Sequence, residues 1–362
     1  MPSTSEWSLA HCQLLSRFAQ PRPRLVCLND STDGWEYRFW RQGLGESERV
    51  AIEKFLKEGL LFHATVPEQL DWGLTLAQLR ALLRERGLKL SGKKFEIVER
   101  LCQADPSAAG KAGAGALREA AERWIEWRCA SMEGASAAAL RRTGAEGVLL
   151  RCSEGGLRLV CEYTAIEREM GRKAIDALRG RDSDLAISIV AAFEDQLNFP
   201  WPPMGGPPEV RIEIARDEIR LAFSARPKIL SGINEDAMEC LRFMEAVRCL
   251  LGLCRGRTEG KLFIPDTQAI ESLKTGLRMG NQAALSMVYV HVKFQRNMEV
   301  WKRMGVVARI GLLSVRDRDS CPVCIGLHGR EWPIDEVPEL PYQYCTSERG
   351  CICCAIPRVT SR

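Results

Sequence analysis

The chain has 362 residues, of which 46% are hydrophobic and 27% charged, and this is enough sequence for two or three folded domains. Its net charge of +4 is small, so any affinity for a polyanion has to come from local patches and not from an overall positive field. No apolar run of about 18 residues predicts a membrane span, and the N-terminus lacks the layout of a signal peptide. The chain's 15 cysteines, without an export signal, indicate reduced thiols in the cytoplasm.

Residues 1–67 are predicted to form a small α/β or irregular unit. Leu25 to Leu28 form an apolar run typical of an extended segment. A helix is predicted from Ser47 to Glu58, because serine is a favoured N-cap and Gly59 is a typical helix stop.

Residues 68–104 are predicted to contain two short helices that pack on each other. Thr75 and Gln78 have the spacing of a capping box, and Gly87 stands where a glycine commonly ends a helix. The apolar residues on either side of Gly87 recur at helical spacing. They are Leu76, Leu79, Leu82 and Leu83 before it, and Phe95, Ile97, Val98 and Leu101 after it. Neither helix can bury its stripe alone, so we expect an αα-hairpin whose second helix opens at Ser91-Gly92.

The polar side of this hairpin is basic. Seven basic residues stand against three acidic ones, and the difference of +4 equals the net charge of the whole chain. The basic residues are Arg80, Arg84, Arg86, Lys89, Lys93, Lys94 and Arg100.

The segment GLKLSGKKFEIVERL, in this helical setting, resembles the SAP motif, a two-helix DNA-binding module, over about 30 residues. The resemblance implies that the turn and the start of the second helix lie against duplex DNA. A helix N-terminus with adjacent lysines also favours phosphate on physical grounds, and such contacts position a protein without reading base sequence. The candidate DNA-binding residues are Arg84, Lys89, Ser91, Gly92, Lys93, Lys94 and Arg100.

Small residues and glycines without periodicity predict a flexible linker over residues 105–116. Residues 117–314 are predicted to form a mainly helical central domain with two β-hairpins, at 147–163 and 209–223. Helices are expected near 117–129, 165–179, 184–197, 235–254, 267–280 and 282–304.

The central domain contains no recognised catalytic motif, neither a glycine-rich phosphate loop nor a nucleophile turn. Glu209, Glu213 and Asp217 are the nearest approach to a metal-binding carboxylate group, and a solvated face explains them better. We therefore predict no catalytic residue and favour a non-enzymatic protein.

The C-terminal segment 315–362 is rich in cysteine. Cys321 and Cys324 form a Cys-Pro-Val-Cys turn, which can present two thiolates to one tetrahedral ion. The candidate metal ligands are Cys321, Cys324, Cys345, Cys351 and Cys353. The second ligand pair stays open between Cys345 with Cys351 or Cys353, and Cys351 with Cys354. Sulfur ligands favour Zn²⁺ in a structural role, with an iron–sulfur cluster or a redox pair as alternatives.

A weaker resemblance links this segment to the C-terminal knuckle of Mu-F-type phage minor head proteins. It rests on Asp319-x-Cys-Pro-x-Cys, on Leu327-His328-Gly329 and on the later cysteines, and it covers about 50 residues. A histidine usual in that family before the third cysteine is replaced here by Tyr342-Gln343-Tyr344. The resemblance supports a metal-knuckle fold better than a phage role.

The sequence thus predicts a multidomain, mainly α protein with small β-hairpins, a SAP-like helical hairpin, a central α+β domain and a zinc knuckle. The predicted function is duplex DNA binding, with another protein as a partner of the central or C-terminal domain and no membrane contact. The alternatives are a nuclease-like enzyme with an active site in 117–314 and a prophage head-assembly protein. The expected location is the cytoplasm, at the nucleoid in a bacterium, or the nucleus in a eukaryote.

Overall fold

A computed structural model describes residues 7–27, 35–130, 145–199, 207–254, 280–314 and 321–359. These residues are mainly helical, with two small antiparallel sheets of three strands each. Contacts divide the chain into two units, Met1–Ile166 with Gln196–Pro200, and Glu167–Asp195 with Trp201–Arg362. The predicted fold class, mainly α with small β elements and a helical hairpin, is confirmed. Within the described residues, no helix has the length and apolar content needed to cross a bilayer.

The first unit places a three-stranded sheet among short helices. Its elements are α1 Leu9–Ser16, β1 Arg22–Cys27, α2 Trp35–Leu44, α3 Glu48–Lys57, β2 Leu61–His63, α4 Val66–Gly73, α5 Leu76–Glu85, α6 Lys94–Ala104, α7 Pro106–Ala130, β3 Ala145–Cys152 and the first half of α8 Glu154–Arg179. The strand order is β1-β3-β2, and β3 pairs antiparallel with both neighbours.

Two local predictions for this unit are confirmed. The extended run at Leu25 lies in β1. The helix after Ser47 is α3, in which the Ser47 hydroxyl accepts a hydrogen bond from the Val50 N–H at 3.3 Å. Gly59 follows with φ +69°, a conformation that glycine adopts without strain.

The predicted hairpin over 147–163 is wrong in its second half. β3 ends at Cys152, and the Ser153 hydroxyl accepts from the Gly156 N–H at 3.0 Å to begin α8. Gly156 is needed for close packing and not for a turn, because a Cβ there would lie 2.2 Å from the carbonyl oxygen of Leu60. β3 therefore pairs with β1 and β2, not with a strand that follows it.

The predicted flexible linker 105–116 is also wrong, since these residues begin the long helix α7. The Asp105 carboxylate accepts from the Ala108 N–H at 3.0 Å, and Pro106 occupies the first helical position, where its missing N–H costs nothing. The small residues serve helix packing: a Cβ on Gly73 of α4 would lie 2.5 Å from the Cβ of Ala116. The alanines and glycines of this segment form a packed helix and not a flexible linker.

The second unit combines longer helices with a C-terminal sheet. Beyond the second half of α8 and most of α9 Ser183–Leu197, it contains α10 Pro208–Ser224, a 3₁₀ turn Lys228–Leu230, α11 Glu235–Leu251, α12 Asn281–Met304, β4 Val307–Leu313, α13 Pro322–Leu327, β5 Glu331–Pro333 and β6 Cys354–Val359. The strand order is β5-β4-β6, antiparallel throughout. The predicted helix at 267–280 lies almost wholly outside the described residues.

The second predicted hairpin, 209–223, is wrong as well, because α10 spans it. Ala215, Ile219 and Ala222 are buried at spacings of four and three residues, which is the helical period. The alternation of Val210, Ile212 and Ile214 occupies only the first turns and does not decide the structure. Of the acidic residues considered there, Glu209 and Glu213 are exposed and Asp217 is half-buried.

Two adjacent glycines at the start of α8 provide a test of this packing. Gly156→Ala should destabilise the protein by about 1–3 kcal/mol, because the new methyl group must push the helix away from Leu60. Gly155→Ala is the matched control: its nearest neighbours lie at 3.6 and 3.7 Å, so this change should be neutral or stabilise by up to about 1 kcal/mol. Chemical denaturation of both variants measures the difference, and equal stabilities would contradict the assigned contact.

Candidate nucleic-acid interface and metal centre

The core of the α5–α6 hairpin is made by four helices and not by two. Leu79 and Leu83 of α5 and Ile97 and Leu101 of α6 have no exposed surface. The same apolar cluster includes fully buried Leu70 of α4 and Ala109 of α7. The expected stripe is therefore confirmed, but α4 and α7 help to close it.

Hydrogen bonds fix both ends of α5. The predicted capping box is present: the Thr75 hydroxyl accepts from the Gln78 N–H at 3.3 Å, and the Thr75 N–H donates to the Gln78 amide oxygen at 2.8 Å. At the other end Gly87 has φ +63°, and the Leu88 N–H donates to the Leu83 carbonyl at 2.9 Å. This is the pattern of a Schellman cap, so the chain leaves α5 in one defined direction.

The connection to α6 is held by Arg100. Its guanidinium donates to the carbonyl oxygens of Lys89 and Ser91, the latter at 3.1 Å. Gly92 has φ +129°, and a Cβ there would lie 2.6 Å from the Glu96 carboxylate. The turn thus requires glycine for both its backbone conformation and its space.

The second helix begins at Lys94, two residues later than the expected Ser91-Gly92 opening. The N–H of Lys93 donates to the Glu96 carboxylate at 3.0 Å, so the protein's own acid occupies part of this helix start. A phosphate here would share the first turn with a negative charge. Side-chain cations at the turn must therefore supply most of the attraction.

The basic residues of the hairpin fall into two groups. Arg80, Arg84, Lys89 and Lys93 are exposed, and their side chains make no hydrogen bond or ion pair within the described chain. The remaining three are engaged: Arg100 as above, Arg86 with Asp105 at 3.1 Å, and Lys94 with the carbonyl oxygen of Asp71 and its carboxylate, the latter at 3.5 Å. We call residues 84–95 the hairpin tip.

One residue expected in the apolar stripe is not there. Phe95 is 60% exposed, whereas Ile97 and Val98 are buried. Two helical residues correspond to about 200° of rotation, so Phe95 points away from the face that Ile97 buries. The prediction that grouped them was wrong.

The C-terminal cysteines converge, as the sequence predicted. Cys321 is the N-cap of α13, and its sulfur accepts from the Cys324 N–H at 3.2 Å. Its sulfur lies 3.6 Å from that of Cys345. Two groups have ligand atoms within 4.8 Å of one another. They are Cys321, Cys324 and Cys345, and Cys324, Cys351 and Cys353. These five buried residues, with Cys324 common to both groups, are the cysteine cluster.

The cysteines of the cluster shift one another's pKa values in opposite directions. Hydrogen bonds from Cys324 and then Cys351 lower the pKa of Cys353 to about 4. Hydrogen bonds to Cys345, Cys351 and Cys353 raise the pKa of Cys324. The cluster therefore concentrates thiolate character in a buried place, which is what a soft divalent cation requires.

Each group of three sulfurs could hold a metal ion. Zinc–sulfur bonds of about 2.3 Å place ligand sulfurs roughly 3.8 Å apart, close to the separation of Cys321 and Cys345. A contact absent from the sequence prediction anchors the loop: the Cys351 N–H donates to the sulfur of Met287 in α12 at 3.3 Å. In the part of the chain that the structure describes, the groups of three or more converging ligands consist of cysteine alone.

Comparison with known proteins supports the hairpin assignment. Residues 73–106 match the SAP domain family, and this match indicates nucleic-acid binding. No curated protein and no solved structure matches the chain. The likeness of the C-terminal segment to Mu-F-type phage head proteins stays a prediction, and its Asp319 lies outside the described residues.

Acid should weaken the junction between α6 and α7, because Asp105 stabilises it in the ionised form. The Ala108 N–H and Arg86 hold the pKa of this carboxyl below its ordinary value. Its ionised form therefore stabilises the fold above the unfolded-state pKa of about 3.9, and this contribution disappears as the pH falls through the lower folded-state pKa. Asp105→Asn keeps a cap acceptor but removes the charge.

The gap in melting temperature between wild type and Asp105→Asn should thus be open at pH 7 and close progressively below about pH 4. Glu99→Gln, at an exposed carboxylate of α6 that accepts a hydrogen bond from Gln103, is the control and should show a smaller gap at pH 7. Circular-dichroism melts across this range make the comparison. A gap for Asp105→Asn that is independent of pH would contradict the assigned role.

Proposed function

We propose that this protein binds duplex DNA through the hairpin tip, without reading base sequence, and that a structural zinc ion organises its C-terminal segment. The observation that carries the DNA proposal is the group of exposed cations at one end of the hairpin that have no partner within the described chain. Arg84, Lys89 and Lys93 lie within ten residues of one another, around a turn with fixed geometry.

The free cations and the engaged ones have different roles in this proposal. Arg84, Lys89 and Lys93 contact phosphates, because no acidic side chain in the described chain neutralises them. Lys94 and Arg100 position the turn through their bonds to Asp71, Lys89 and Ser91. They are positioning residues, although the sequence grouped them with the phosphate contacts.

Ser91 and Gly92 contribute through the backbone. Both are exposed at the turn, and glycine leaves the peptide groups accessible to a close phosphate. Contacts of this kind fix a protein on the duplex but carry no base information. Arg84 and the two lysines are long and flexible, which suits phosphates of any sequence.

The zinc proposal rests on the donor set. Five buried sulfurs gather in a segment that has few other buried side chains, and zinc is the common metal that prefers such ligands. Cys324 belongs to both groups and is the ligand we assign first, with Cys321, Cys345 and one of Cys351 or Cys353 completing four. Four thiolates leave no open position for water, so the proposed role is structural.

DNA binding is tested by substitution at the tip. Lys93→Ala should weaken binding to unrelated duplexes by the same factor and lower the slope of log affinity against log salt by about one. Folding should be unaffected, because the cap at Lys93 uses its backbone N–H. Lys57→Ala, at an exposed lysine of α3, is the control and should leave the slope unchanged.

The triple change Arg84→Ala, Lys89→Ala and Lys93→Ala should lower the slope by roughly three. Fluorescence anisotropy with two duplexes of different sequence, over a salt series, provides the measurement. A triple variant that keeps the wild-type affinity and slope would show that the hairpin tip is not the DNA-binding surface.

The metal is tested by elemental analysis of the purified protein. We expect one zinc per chain, lost in Cys324→Ser and retained in Cys161→Ser, whose cysteine is exposed on α8. Because metal binding at such sites is coupled to folding, Cys324→Ser should also make residues 321–359 sensitive to limited proteolysis. Iron with visible absorbance, or a zinc content equal in both variants, would refute the assignment.

A further inference from the structure

Phe95 is an apolar side chain in a position where the fold does not use it. It is 60% exposed on the first turn of α6, although Ile97 and Val98, two and three residues later, belong to the core. Trp72 in α4 is also 38% exposed, and it follows Asp71, whose carbonyl oxygen binds the Lys94 ammonium. Two aromatic residues thus flank the place where α4 meets the start of α6.

The charges beside Phe95 indicate what covers it. Lys93 precedes it by two residues, is exposed and has no acidic partner within the described chain. Lys89 and Arg84 are equally free at the same tip. Protein–protein interfaces are depleted of lysine around their apolar centres, whereas an aromatic ring among cations is typical of nucleic-acid contact.

We propose that Phe95 contacts the bases of a locally unstacked step, so that the preferred ligand of the hairpin is a duplex containing a mismatched or bulged pair. This inference rests on the proposed DNA binding and adds a ligand class to it. Lys93 and Phe95 are both exposed at the start of this helix, so a duplex bound through the hairpin tip has the ring within reach. Apolar side chains used in this way enter between base steps and kink the duplex.

Mismatched pairs are favoured for an energetic reason. Opening a paired step costs stacking and pairing energy, and this cost is smallest where the bases are already mispaired. In a fully paired duplex this cost offsets the ring's contact, so the ring stays outside the stack there. The net affinity is therefore higher for the mismatched duplex. The phosphate contacts of Arg84, Lys89 and Lys93 contribute equally to both duplexes.

The experiment compares full-length wild type, Phe95→Ala, Lys93→Ala and Phe62→Ala on two short duplexes that differ by one central mismatch. Phe62, 48% exposed in β2, is the matched aromatic control. A 2-aminopurine next to the mismatch reports unstacking by its fluorescence, and anisotropy gives the affinities. Melting curves of each variant check that the fold is intact.

Wild type and Phe62→Ala should prefer the mismatched duplex by roughly 5- to 150-fold, the range that one base–aromatic contact supplies. Phe95→Ala should lose this preference and the 2-aminopurine signal while binding the paired duplex like wild type. Lys93→Ala should weaken both duplexes by the same factor and keep the preference.

Equal preference in wild type and Phe95→Ala would overturn the inference. So would a wild type that binds both duplexes equally, although the proposed duplex binding would then stand. A wild type that binds neither duplex would overturn the proposed function itself, and the inference with it.

Discussion

The burial of the hairpin stripe against α4 and α7 determines where every charge at the hairpin tip can lie. Leu79, Leu83, Ile97 and Leu101 are fully buried, and Leu70 and Ala109 from the flanking helices complete their packing. Once these residues are fixed, the outward face of α5 and the turn are fixed too. The cations of that face are then either close to a carbonyl or carboxylate of the protein, or left without one.

Whether a cation contacts an acceptor of the protein distinguishes the cations that stabilise the fold from those available to bind an anion. Arg86 reaches Asp105 and the Leu82 carbonyl, and so ties the end of α5 to the start of α7. Asp105 also caps α7 through the Ala108 N–H, which makes one carboxylate the link between two helices and an arginine. Charges used in this way are partly compensated, whereas the exposed Arg84, Lys89 and Lys93 keep their full attraction for an anion.

Much of the hairpin could be predicted from sequence because its signals are local. A capping box, a glycine at a C-cap and a leucine repeat each involve residues within a turn or two, and each is present. The wrong predictions fall on segments whose short sequence pattern is compatible with two different structures. Alternation in 209–223 fits a strand in its first residues, but Ala215, Ile219 and Ala222 bury a helical face. The alanines and glycines after Asp105 pack against α4, a partner that the linker prediction did not consider.

The carbonyl of Leu60 shows a further limit. Ser153-Glu154-Gly155-Gly156 has the composition of a turn, and the main obstacle to a side chain at Gly156 is the carbonyl group of the distant Leu60. Nothing within a few residues reveals that constraint. Similarly, the spacing of the cysteines predicted a cluster. It could not show that Cys324 belongs to both groups of three, because this depends on how residues 345–353 fold toward Cys321 and Cys324.

The return of that segment depends on sulfur more than on apolar side chains. Between β5 and β6, the buried residues are Leu340, Pro341, Cys345, Gly350, Cys351 and Cys353, so half of them are cysteines. Hydrogen bonds among the neighbouring thiols raise the pKa of Cys324 and lower that of Cys353, so the sulfurs of the cluster are not equivalent. A metal ion bound here would take the cysteines as thiolates, so its binding would release their protons. Because metal binding at such sites is coupled to folding, an ion bound by these cysteines would also stabilise the loop that brings them together.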